Sequence, residues 1–176
     1  MAAPGSIART TRTSMGAVNE GKRPVYWTEG DRLSLNGTAS NELTGVVAEQ
    51  RSATFTFPGD IATPYNLLYP ASFYKDASKI TLPASQTYAL GTFATNTSPL
   101  AGYATDGSAT ISMKHLTTTV HLSVKKDAGV SASNLLTVRF RGNAGEQVCG
   151  DFTIDYELAS LAAVGEGSEV TLNVNQ

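Results

Sequence analysis

Leu136-Thr-Val-Arg-Phe140, followed after a Gly-containing turn by Gly150-Asp-Phe-Thr-Ile-Asp-Tyr156, places apolar residues at every second position and polar ones between them. Successive side chains of an extended strand point to opposite faces, so Leu136, Val138 and Phe140 line one face, as do Phe152, Ile154 and Tyr156. The same period recurs on both sides of this pair: in Leu33 and Leu35, in Ala53, Phe55 and Phe57, and in Val170, Leu172 and Val174. Sheets wet on one side, with Gly, Pro and Asn turns between their strands, must bury their apolar faces against each other. The pattern therefore predicts an all-β, antiparallel sandwich of about seven or more strands with little helix. The expected inter-sheet core is Trp27, Leu33, Phe55, Phe57, Leu67, Tyr69, Val120, Leu122, Phe140, Phe152 and Ile154.

Around these strands the pattern is less regular. Between Ala109 and Lys126 the apolar residues change phase, from Ile111 and Met113 at odd positions to Leu116, Val120, Leu122 and Val124 at even ones. A strand with only one buried face cannot keep both sets inside, which predicts a bulge or a switch of sheet near Lys114 and His115. Lys75 to Gly107 has few large apolar residues and many turn formers, and is expected to hold one short strand and long loops. From Asp155 to Val164 a strand followed by a loop or one helical turn is expected. Residues 1–23 show little apolar periodicity before Pro24 and are expected to be a flexible leader to a single domain over 24–176.

The totals narrow the function. A chain of 176 residues suits one well-cored domain. Charged residues make up 16% of it, against about 25% in average soluble proteins, and uncharged Thr, Ser, Asn and Gly take their place. Thirteen basic against fifteen acidic residues give a net charge of -2 without a basic cluster, so nucleic acid is not an expected partner. The longest apolar run, Leu158 to Val164, is far short of the roughly 20 residues that span a bilayer. The N-terminus lacks the apolar stretch of a secretory signal. With Cys149 as its single cysteine, the chain has no internal disulfide.

Few side chains suggest chemistry. His115 and His121 are six residues apart, or roughly 20 Å along a strand at about 3.3 Å per residue, too far to share a metal. Asp151, Asp155 and Glu157 alternate on an outward face, where a strand converges poorly on a cation that takes about 6–8 oxygen ligands. Cys149 shares that outward register, as an accessible thiol would, while a buried Cys beside a bulge fits equally well, and no cationic neighbour in sequence marks it as activated. Gly165-Glu-Gly167 reads as a turn, because Glu166 and Glu169 would repel a phosphate. No Gly-x-Ser-x-Gly elbow or His-Glu-x-x-His pair occurs. No catalytic residue, cofactor or metal is expected, and an enzyme is not.

Four stretches, Val25-Tyr-Trp-Thr-Glu-Gly-Asp31, Tyr65-Asn-Leu-Leu-Tyr-Pro70, Thr81-Leu-Pro-Ala-Ser-Gln86 and Gly150-Asp-Phe-Thr-Ile-Asp155, occur in an order and spacing that resemble the Bacteroidales-type fimbrillin family, over nearly the whole chain after Pro24. The resemblance implies a transthyretin-like sandwich equivalent to a fimbrillin N-terminal domain. It also implies an exported subunit or anchor of a type V pilus, outer-membrane associated at the cell surface, whose partners are other pilus subunits and a host protein or glycan receptor. Family members are often lipoproteins acylated on an N-terminal Cys, which this chain lacks, so a processed or truncated form is expected. In related pilins an arginine-specific protease removes an N-terminal strand and opens a groove for a neighbour's strand. That makes Arg9 and Arg12 the candidate processing positions. Val170, Leu172 and Val174 are candidates for an exchanged strand, with closure of the chain's own sheet as the default. The alternative reading is a cell-surface carbohydrate-binding module with Tyr74, Tyr88 and Tyr103 as its aromatic platform.

Overall fold

The run Tyr65-Asn-Leu-Leu-Tyr69 places Leu67 and Leu68 side by side, so whichever face of a strand they occupy, both faces must be covered. A computed structural model, which describes residues 14–18, 23–94, 97–107, 110–123, 125 and 135–174, builds the fold around this strand. In chain order the strands are β1 (Ser14–Met15), β2 (Val25–Tyr26), β3 (Ser34–Leu35), β4 (Thr38–Ala39), β5 (Tyr65–Tyr69), β6 (Tyr74–Asp76), β7 (Lys79–Leu82), β8 (Ser85–Thr87), β9 (Leu100–Ala104), β10 (Lys114–His115), β11 (Thr137–Arg141), β12 (Gly150–Asp155), β13 (Ser160–Ala163) and β14 (Glu169–Asn173). Helix among the described residues is limited to the 3-10 turns Ala71–Phe73 and Asn143–Gly145.

The sheets run β10-β9-β5-β3-β4, β13-β12-β7-β6, β11-β14-β8 and β1-β2. The fold is an all-β sandwich, antiparallel throughout except where β14 runs parallel to β8. Leu68 and Ala101 of the five-stranded sheet meet Ile80, Leu82 and Phe152 of the four-stranded sheet, with Phe73 and Tyr156 closing the rim of this core. The opposite face of β5 carries a second core. There Leu33, Leu35, Leu67, Tyr69 and Leu100 are covered by Trp27, Phe55, Phe57, Ile61, Ile111 and Met113.

Two of the sequence motifs meet on that second face. Asp31 closes a turn in which its backbone N–H bonds to the Thr28 carbonyl at 3.2 Å, with Gly30 at φ +80° supplying the positive dihedral the turn needs. The Asp31 carboxylate, with no exposed surface, accepts from the Thr28 N–H at 2.9 Å and from the Tyr69 hydroxyl at 2.9 Å. Trp27 stands edge-on to both Tyr69 (5.5 Å between centroids) and Phe55 (5.1 Å), the favoured arrangement for aromatic pairs. The other two motifs pair as strands: β7 and β12 align Thr81 with Asp151 and Leu82 with Gly150.

Several expectations need correction. The anticipated single core is two, because Trp27, Leu33, Phe55, Phe57, Leu67 and Tyr69 lie on one side of β5 while Phe152 and Ile154 lie on the other. The phase change near Lys114 needs no bulge. β10 pairs with β9 in unbroken register, and because that sheet is covered on both faces, Ile111 and Met113 pack into one core and Leu116 against the other. Gly102 lies beneath this segment, where an added Cβ would sit 2.8 Å from the Met113 sulfur and 3.0 Å from Ile111 Cγ2. Val120 and Leu122 (both 58% exposed) and Phe140 (49%) are not core, since no described element packs over them.

The Lys75 to Gly107 stretch contains β7, β8 and β9 and most of β6, rather than one strand, because ladder bonds to β12, β14 and β5 hold segments too short to show a clear alternation of their own. After Asp155 the chain turns tightly and returns as β13, with the Asp155 carboxylate accepting the Leu158 N–H at 2.8 Å. Within the expected leader, β1 pairs with β2, and the Met15 N–H bonds to Thr92 Oγ1 at 2.9 Å.

Truncating Leu68 to Ala should lower unfolding stability by about 2–5 kcal/mol. The exposed Leu122→Ala should change it by less than about 0.5 kcal/mol. Tyr69→Phe, which removes the hydroxyl from a buried carboxylate, should cost about 1–3 kcal/mol. Urea denaturation of the three variants would check this ranking, and an equal effect at Leu68 and Leu122 would contradict the two-core architecture.

Candidate functional site

The three-stranded sheet differs from its neighbours in having one apolar face that, among the described residues, joins neither core. Register pairs Val138 with Leu172 and Phe140 with Val170, and the Val174 N–H bonds to the Leu136 carbonyl at 2.8 Å, so all six side chains share that face. Leu136 is 60% and Phe140 49% exposed. The reverse face is charged, with Glu169 bridging Arg139 at 3.7 Å and Arg141 at 2.5 Å. Hydrogen bonding to Arg141 holds the Glu169 carboxyl below its ordinary pKa. The strand order leaves β11 at the sheet edge, paired among the described residues only with β14. An edge of this kind offers a row of peptide groups to another strand.

The sequence-based candidates fall at different places. Val170, Leu172 and Val174 belong to β14 or adjoin it, and β14 is the central strand of its own sheet, so closure within the chain is what the structure has. Arg9 and Arg12 lie outside the described residues. The three tyrosines of the carbohydrate reading do not form one platform. Tyr74 packs against the inter-sheet core and across Gly37, where an added Cβ would lie 2.8 Å from the phenol ring. Tyr103 borders a small cleft of about 190 Å³ with Lys114, Tyr156 and Glu157, whereas Tyr88 lines a separate cavity of about 450 Å³ between β8 and the following loop.

The other polar candidates have structural partners. Asp151 takes an ion pair from Lys75 and a hydrogen bond from Thr81 Oγ1 at 2.6 Å, and the two together, Lys75 first, hold its carboxyl below the usual range. Asp76 is lowered in the same direction by the Ser78 backbone N–H. Burial pushes the Tyr156 hydroxyl up to about 12 and lowers His115, whose Nδ1 lies 3.3 Å from Ser98 Oγ. His121 lies beyond β10 in exposed chain, so the two histidines do not share a strand. Cys149 is buried, not outward, with its sulfur 3.2 Å from the Glu169 carbonyl and 3.4 Å from that of Gly167. The Gly165–Gly167 stretch is a turn whose Gly167 carbonyl receives the Val148 and Cys149 N–H groups.

Sequence reasoning missed two features. Phe140 is expected in the core but lies on an exposed apolar face, because alternation reports a half-apolar strand without saying whether a partner sheet exists. The cavity beside Tyr88 is walled by Phe73, Gln86 and Thr97, residues too scattered in sequence to form a motif. Compared with protein-family models, curated proteins and solved structures, the chain matches none.

The carboxylate pairs give a pH prediction. Asp151 and Glu169 bind protons less readily when folded, so the stability they supply is complete above their unfolded values of 3.8 and 4.5 and is lost as pH falls through the lower folded values. Lys75→Met should therefore flatten the acid limb of urea stability below about pH 4. An acid limb as steep as the wild type would show that the Lys75–Asp151 pair contributes nothing.

Proposed function

We propose that this chain is a structural and adhesive subunit, or an anchor, of a cell-surface pilus, and that it associates with other subunits through strand exchange. It would act outside the cell in association with the outer membrane, in a role that requires no catalysis. The observation that carries the reading is the three-stranded sheet, where a β11 edge with no further strand among the described residues borders the half-exposed face of Leu136 and Phe140. A guest strand added to β11 would gain main-chain hydrogen bonds from the edge and cover these side chains with its own alternating apolar residues. The four motifs that carry the fimbrillin resemblance support the same reading. They meet in pairs, through Asp31 and Tyr69 and through β7 and β12, as expected of residues that maintain a scaffold.

In this reading, cleavage after Arg9 or Arg12 removes chain that precedes β1 and permits assembly. β1 itself, held by β2 and Thr92, stays in place. Treatment with a limiting amount of an arginine-specific protease should trim the chain at these positions and produce a ladder of oligomers in native mass spectrometry. The double variant Leu136→Glu/Phe140→Glu should keep the wild-type circular dichroism spectrum and remain monomeric after trimming, because charges on that face oppose its burial. A trimmed wild-type protein that stays monomeric would end the polymerising mechanism.

A further inference from the structure

β8 has an outer edge opposite to β11, and that edge forms one wall of the 450 Å³ cavity. The Thr171 N–H bonds to the Ala84 carbonyl and the Tyr88 N–H to the Asn173 carbonyl, so the even-numbered residues of this strand pair with β14. In a parallel ladder, alternate residues face opposite sides, which directs the peptide groups of Ser85 and Thr87 away from β14 toward the cavity. Phe73 and Pro83 supply apolar surface, while Gln86, Thr87, Tyr88 and Thr97 supply hydroxyls, an amide and an aromatic ring. Among the described residues, no Lys, Arg, His, Asp or Glu lines it.

We propose that this cavity binds an uncharged saccharide unit. Its volume falls within the range of about 300–1,000 Å³ typical of small-ligand sites. A pyranose has an apolar C–H face for the Tyr88 ring and hydroxyls that both donate and accept toward the side chains and the two free peptide groups. A phosphate or other anion would find no cation among the described lining residues to offset its desolvation, and a fully apolar ligand would cover the Gln86 amide and Thr87 hydroxyl without bonding them. An added peptide strand is disfavoured because β8 is three residues long and is followed backward by Pro83, which has no N–H to extend the ladder. The site uses one of the three tyrosines considered from the sequence and is independent of assembly at β11.

The test is a titration of the isotopically labelled full chain with the methyl glycosides of glucose, galactose, mannose and N-acetylglucosamine, at millimolar concentration, followed by amide NMR. Saturable shifts with at least one glycoside should map to Ser85–Ala89 and Thr97. Tyr88→Ala should weaken that binding by about tenfold, the scale of one aromatic contact. Tyr103→Ala should leave it unchanged. Gln86→Ala, on a side chain outside both cores, should weaken it several-fold and decides the matter if Tyr88→Ala fails to fold. The proposal is overturned if no glycoside gives saturable shifts, if the shifts map elsewhere, or if binding survives Gln86→Ala and a folded Tyr88→Ala. Saturation by a short Thr/Val peptide with all four glycosides silent would also overturn it, by making the β8 edge a peptide site.

Discussion

Strand β5 is a wall shared by two hydrophobic cores, and most of the fold follows from the need to cover both of its faces. Leu68 points toward β7 and β12, while Leu67 and Tyr69 point the other way. The first requirement is met by a second sheet. The second is met by chain with little regular structure, from Trp27 to Ile61, anchored by the Asp31 contacts to Thr28 and Tyr69. A buried carboxylate is tolerated there because hydrogen-bond donors meet it on both oxygens. This arrangement also explains why the Trp-x-x-Gly-Asp and Leu-Tyr-Pro stretches belong together: one supplies the acceptor and the other the donor.

Protection is uneven across the molecule. The five- and four-stranded sheets bury their facing residues, but the sheet of β11, β14 and β8 keeps a half-exposed apolar face and, among the described residues, two unpaired edges. Natural sheets usually blunt such edges, and here the charge of Arg139, Arg141 and Glu169 lies on the reverse face only. A surface left in this state is suited to a partner, which is why the proposed assembly site falls on β11 and not on the better-covered sheets. The uncharged cavity at the far edge of the same sheet has a different chemistry, so the two edges need not serve the same ligand.

The ion pairs play a smaller part. Lys75 with Asp151 and the arginines with Glu169 are exposed, and pairs of this type contribute little to stability in water. Their effect is local, orienting side chains along β6, β7 and β11, while the hydrophobic cores and the ladders carry the fold.

The sequence by itself determined the class of the fold and the segments of β11, β12 and β14, because period-two alternation is imposed by the geometry of a single strand. It placed Leu67 and Tyr69 in the core but gave no sign that Leu68 beside them builds another on the opposite face. Only the tertiary structure decided how many cores those strands build. Alternation in Phe140 or Leu172 is the same whether a facing sheet exists or not, and the phase change at Lys114 reads as a bulge until the two-sided burial of its sheet is known. Likewise the cavity beside Tyr88 exists because β8 is brought against Phe73 and Thr97 by pairing with β14, a long-range contact that no local pattern encodes.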